Sequence, residues 1–186
     1  MNDCVKLNSR EMAEFAAEGL LRFDGIVPDV INQQFLAEAG SVDTPSGEKG
    51  SNRTIKSLGN LMAHSSLPEV TPGTVLNTAY KETTALGELV RLPFVRGAIE
   101  SLVGPESMVD HHFLHLALPS SYYKAAGIPQ RTQHTHQDST IDPRRAFDIQ
   151  LFYFPHEVGP DMGGTRYVPG THLRIVSESA IARYQN

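Results

Sequence analysis

Residues 134–140 read HTHQDST, placing two imidazoles, an amide, a carboxylate and two hydroxyls in seven positions. His136 and Asp138 are one residue apart. On a β-strand they share a face, with backbones about 7 Å apart. From there both side chains can lean onto one ion at roughly 2.1 Å each. An imidazole with a carboxylate suits ferrous iron in a facial site of two histidines and one carboxylate with open positions. It suits structural zinc less well, because that ion wants four tight ligands and often cysteine. His134 shares the strand face, but three consecutive inward side chains do not easily converge on one ion, so it reads as a neighbour. The competing reading is a polar strand whose side chains meet only water, and H-x-D by itself does not choose.

The remaining histidines are weaker candidates. In MVDHHFLHLAL (108–118) the period is two, so His111 and His115 share a face and form a rival pair. The alternative for them is a polar strand face with ordinary hydrogen bonds. His64, in a polar loop, and His156, in the turn PHEVGPDMGG, read as solvated.

Composition narrows the function classes. A chain of 186 residues supports one domain with a core, spanning 1–186. Apolar content of 40% and charge of 20% are those of a globular protein. A net charge of −5 argues against a nucleic-acid partner, since phosphate binding needs a basic face. No apolar run approaches the roughly 20 residues that cross a bilayer, so no membrane partner is expected. The opening MNDCVKLNSREMAEF lacks an apolar signal segment, and the one cysteine, Cys4, allows no internal disulfide. Both fit a cytoplasmic protein acting on a small molecule. Oligomeric state is not written in the sequence.

The elements that must position these groups divide the chain in two. From about 8 to 104 the pattern is helical. Asn8 with Glu11 predicts a capping box, Met12, Phe15 and Ala16 a stripe, and Gly19 a stop. LLRF (20–23) reads as a short strand, and Pro28 as the start of a helix carrying Ile31, Phe35 and Ala39 on one face. Residues 40–75 have loop composition, with one helical turn near Leu58–Met62. Two further helices meet at Pro93, the second carrying Val95, Ile99 and Leu102 and ending at Gly104–Pro105. From about 108 to 186 short strands dominate: MVDHHFLHLAL, TQHTHQDST, AFDIQLFYF and TRYV. Helices followed by strands read as an α+β domain closing on a β-sandwich or barrel.

THQDST at 135–140, followed by GGTRYVPGTHLR at 163–174, resembles the phytanoyl-CoA dioxygenase family of iron- and 2-oxoglutarate-dependent oxygenases. EFAAEGLLRFDGIVPDVI and LVRLPFVRGAIESLVGP are similar to that family's opening helix and strand and to its helix before the core. The resemblance runs from about residue 8 onward. It implies a double-stranded β-helix, or jelly roll, with flanking N-terminal helices. It makes His136 and Asp138 two of three Fe(II) ligands. It puts Phe152 against 2-oxoglutarate, with Gln150 and Phe154 on its strand face and Gln137 inside the triplet as further contacts. Plain core packing is the other reading of Phe152. His172, in PGTH, is implied to close a turn and not to ligate iron.

The implied reaction is hydroxylation of an unactivated C–H bond using O2. Relatives that halogenate carry a small residue where Asp138 stands. Tyr122, Tyr123 and Lys124, in the loop 119–131, are expected at the substrate, with loop 40–75 as a second cover. The family's distal iron-binding histidine and the arginine that pairs 2-oxoglutarate lie beyond its PGTH segment. The expectation is therefore a C-terminally incomplete domain, lacking the closing strands, with Arg131, Arg166 and Arg174 none at the family's position. Two alternatives stand beside this: a non-catalytic relative that binds a small molecule or partner, and a cupin-type enzyme using His134 and His136. The second lacks the glutamate that cupins place shortly after.

Overall fold

A computed structural model of the chain describes residues 4–39, 70–110, 112, 124–125, 148–162 and 164–172. Helix α1 spans Ser9–Glu18. Asn8 Oδ1 accepts from the Arg10 and Glu11 amides at 2.9 and 3.0 Å, while Glu11 Oε2 accepts from the Asn8 amide at 2.8 Å. This is the expected capping box, which satisfies amides the helix itself leaves unpaired. Gly19 ends the helix in the left-handed region, at φ 78, its amide donating to Phe15 O. The expected stripe is only partly used: α1 buries none of its residues, and Met12 stays 37% exposed.

Helix α2, Asp29–Ala39, begins one residue after Pro28, whose carbonyl accepts from the Ile31 and Asn32 amides. Proline lacks an N–H to lose at this end of a helix, so it is tolerated there. Ile31, Phe35 and Ala39 are buried, as their spacing predicts. Strand β1 (Thr74–Val75) runs into the four-residue helix α3 (Leu76–Ala79). Helices α4 (Ala85–Arg91) and α5 (Pro93–Val103) follow, then strand β2 (Met108–Val109) and a 3-10 turn at Pro160–Met162. Leu92 separates α4 from α5 with ψ 131, because the Pro93 ring excludes the helical conformation from the residue before it. Gly104 stops α5 with φ 88.

The core lies where α2, α4 and α5 meet. Ile31, Phe35 and Ala39 pack with Ala85, Leu89, Val95 and Ile99. Burying each of the larger side chains contributes about 1.5–3 kcal/mol. A polar lock closes the α2–α4 contact: both Glu38 oxygens accept from the Ala85 amide, at 3.1 and 3.0 Å, so α2 caps α4. The N-terminal segment crosses α5, with the Val5 amide on Pro93 O and the Leu7 amide on Ser101 Oγ.

Strands β1 and β2 pair antiparallel, Thr74 opposite Val109 and Val75 opposite Met108. Other expected strands differ. Residues 20–23, 148–154 and 165–168 form no ladder among the described residues. A strand needs backbone partners as well as β-prone side chains. LLRF is held by a side chain instead: Phe23 meets Phe94 of α5 edge-on at 4.6 Å. The helical turn expected near Leu58–Met62, most of MVDHHFLHLAL, and TQHTHQDST lie outside the described residues. Among the described residues, no helix is long and apolar enough to cross a membrane.

Candidate functional site

His134, His136, Gln137, Asp138, Tyr122 and Tyr123 lie outside the described residues, as do His64, His111, His115, Arg131 and Arg174. Among the described residues no group of three His, Cys, Asp or Glu side chains is placed to hold a metal. The geometry that bears on a site comes from two other segments, 148–154 and 164–172.

Residues 148–154, DIQLFYF, lie on the helical layer through two side chains. Ile149 and Tyr153 pack against the core, the Tyr153 ring meeting Phe35 edge-on with centroids 5.1 Å apart. The Tyr153 hydroxyl donates to Asn32 Oδ1 on α2 at 2.6 Å. Burial pushes the phenol up to about 12, so it stays a neutral donor. With Tyr153 turned to the helices, Gln150 is exposed, Phe152 is 50% exposed and Phe154 48%. Leu151, between them, is 54% exposed as well, so exposure alone does not divide residues 150–154 into two faces.

The segment 164–172 seats on the far end of α1. The Gly170 amide donates to Glu18 O at 2.9 Å, and Thr171 Oγ1 donates to Val168 O within the turn. The His172 ring lies against Gly19, where a Cβ would overlap it, and faces Phe15 at 6.3 Å. His172 Nδ1 is buried and has no hydrogen-bond partner among the described residues. The ring thus fills the space beside Gly19 and Phe15. His156 is exposed, and its Nδ1 donates to Glu157 O. Arg166 and Lys124 are exposed.

Two clusters escaped the sequence pattern. Tyr80, 6% exposed, stacks on His112 at 5.6 Å, with Tyr80 Oη and His112 Nδ1 2.9 Å apart. Burial raises the Tyr80 phenol above its ordinary value. Arg91 braces this corner by donating to the Asn77 and Tyr80 carbonyls. The second cluster is Glu100, which accepts from Lys6 Nζ at 2.6 Å, Arg96 Nε at 2.7 Å and Cys4 Sγ at 3.4 Å. Burial, then the Glu100 hydrogen bond, raises the Cys4 thiol, disfavouring the reactive thiolate. Only the Arg96–Glu100 pair, four apart on a helix, carried a sequence signal.

Compared with protein-family models, curated proteins and solved structures, the chain finds no match.

Proposed function

We propose that this chain is the core of an Fe(II)- and 2-oxoglutarate-dependent dioxygenase. It would hydroxylate an unactivated C–H bond of a small organic substrate in the cytoplasm, with a jelly-roll core completing the helical layer. The observation that carries the reading is the ordered pair of motifs, His136-x-Asp138 and then the PGTH turn. Two packing facts support it. The PGTH turn seats on α1, which belongs to the opening segment of the same resemblance. The intervening 148–154 segment leaves Gln150 and Phe152 exposed, where a cosubstrate can reach them.

The donor set fits the metal: a neutral imidazole and a carboxylate are the ligand types that ferrous iron accepts while leaving positions open. His136 and Asp138 would hold it. When bound, ferrous iron with 2-oxoglutarate lets O2 be divided between the substrate, which gains a hydroxyl, and the cosubstrate, which leaves as succinate and CO2. The protein's own part is placement and exclusion of water. Phe152 and Phe154 offer apolar walls, Gln150 and Gln137 hydrogen bonds, and Tyr122 and Tyr123 contacts to substrate.

The test is anaerobic addition of Fe(II) and 2-oxoglutarate, read by the visible metal-to-ligand charge-transfer band. Wild-type protein should show a saturable band, and His136→Ala and Asp138→Ala should each abolish it. A wild-type chain that gives no band and no saturable 2-oxoglutarate binding overturns the proposal and favours a non-catalytic binding domain.

A further inference from the structure

We propose that Tyr153 and Asn32 are positioning residues that set the register of the 148–154 segment, and so decide which side chains face 2-oxoglutarate; this rests on the oxygenase reading above. The segment ends in Leu-Phe-Tyr-Phe, residues 151–154. Three consecutive aromatic rings of similar size can each fill the space beside Phe35, so apolar burial alone chooses weakly among them. In an extended chain, sliding by one residue would turn Phe152 or Phe154 to the helices and Tyr153 outward.

One group breaks the degeneracy. Of these three rings only Tyr153 carries a hydroxyl, and it reaches Asn32 Oδ1 at 2.6 Å. The Asn32 amide is itself oriented, since its Nδ2 donates to Val27 O at 3.5 Å, leaving Oδ1 turned to the phenol. In a slipped register a phenylalanine beside Asn32 would leave that acceptor without the donor it now has. The hydrogen bond thus selects Tyr153 as the ring on the helices, with Phe152 and Phe154 left half-exposed on either side of it. Tyr153 touches neither iron nor cosubstrate in this scheme. It acts through its neighbours.

The experiment compares wild-type protein with Tyr153→Phe, Asn32→Leu and Asn32→Asp, titrating Fe(II) and then 2-oxoglutarate anaerobically. Tyr153→Phe keeps the ring and loses the hydroxyl. It should weaken 2-oxoglutarate binding about fivefold with Fe(II) affinity unchanged, and should speed amide exchange over 148–154 in the metal-free protein. Asn32→Asp keeps an acceptor for the phenol but loses the donor to Val27 O, so its 2-oxoglutarate affinity should fall between those of wild type and Asn32→Leu. Should Tyr153→Phe lose its cooperative melt, Asn32→Leu removes the same bond and carries the same expectation. Wild-type binding of both ligands, with Tyr153→Phe and Asn32→Leu indistinguishable from it, overturns the register role and leaves the oxygenase reading standing. Absence of 2-oxoglutarate binding in wild type overturns both.

Discussion

Glu100 shows how a single side chain draws distant parts of the sequence together. Hydrogen bonds from Lys6 first, then Arg96, hold its carboxyl at about 2, well below the ordinary 4.5. A carboxyl depressed by folding stabilises the native state above its unfolded value, and loses that contribution as protons bind it. Wild-type protein should therefore lose stability as pH falls from 4.5 through about 2. Glu100→Gln, with no charge to titrate, should lose less over the same window. Thermal melts across that range check it, and parallel curves would show that the cluster contributes nothing. The Arg96–Glu100 half of this cluster is readable from helical spacing. The Lys6 half is not, because no local rule pairs residues 94 positions apart. The same limit hid Tyr80 and His112, whose stacking joins the end of α3 to the residues after β2.

At the scale of elements, local stereochemistry was the better guide. The Asn8 capping box, the break at Pro93 and the stop at Gly104 each follow from backbone geometry within a few residues, and all three are present. What crosses between elements was not readable, such as Glu38 of α2 capping α4. Gly97 is a second instance. Inside α5 an alanine would improve helix propensity by about 1 kcal/mol. A Cβ at Gly97, however, would overlap the Val5 carbonyl of the N-terminal segment, and backbone cannot swing aside as a flexible side chain does. Overpacking of this kind costs about 1–3 kcal/mol, so it outweighs the propensity gain. Gly97→Ala should lower the melting temperature. A rise would mean that residues 4–8 are not seated against α5.

For the molecule as a whole, the informative contact is the PGTH turn on the end of α1. Gly19 and Gly25 both sit in the left-handed region, at φ 78 and 67. An alanine at either site suffers the same backbone penalty, roughly 1–2 kcal/mol. At Gly19 the new methyl would overlap the His172 ring; at Gly25 it meets nothing within 4 Å among the described residues. Gly19→Ala should therefore destabilise more than Gly25→Ala and raise amide exchange at 164–172, while Gly25→Ala leaves that segment protected. Equal effects at the two sites would argue that the turn is not docked there. The sequence alone determined the helix ends and the inward face of α2, because each rests on residue type and short-range spacing. Which ring of 148–154 turns to the helices, and where the PGTH turn comes to rest, were decided only by tertiary packing. Those choices depend on partners that lie more than a hundred residues away along the chain, such as Tyr153 on Asn32. A run of similar aromatic rings cannot announce which of them will find its partner.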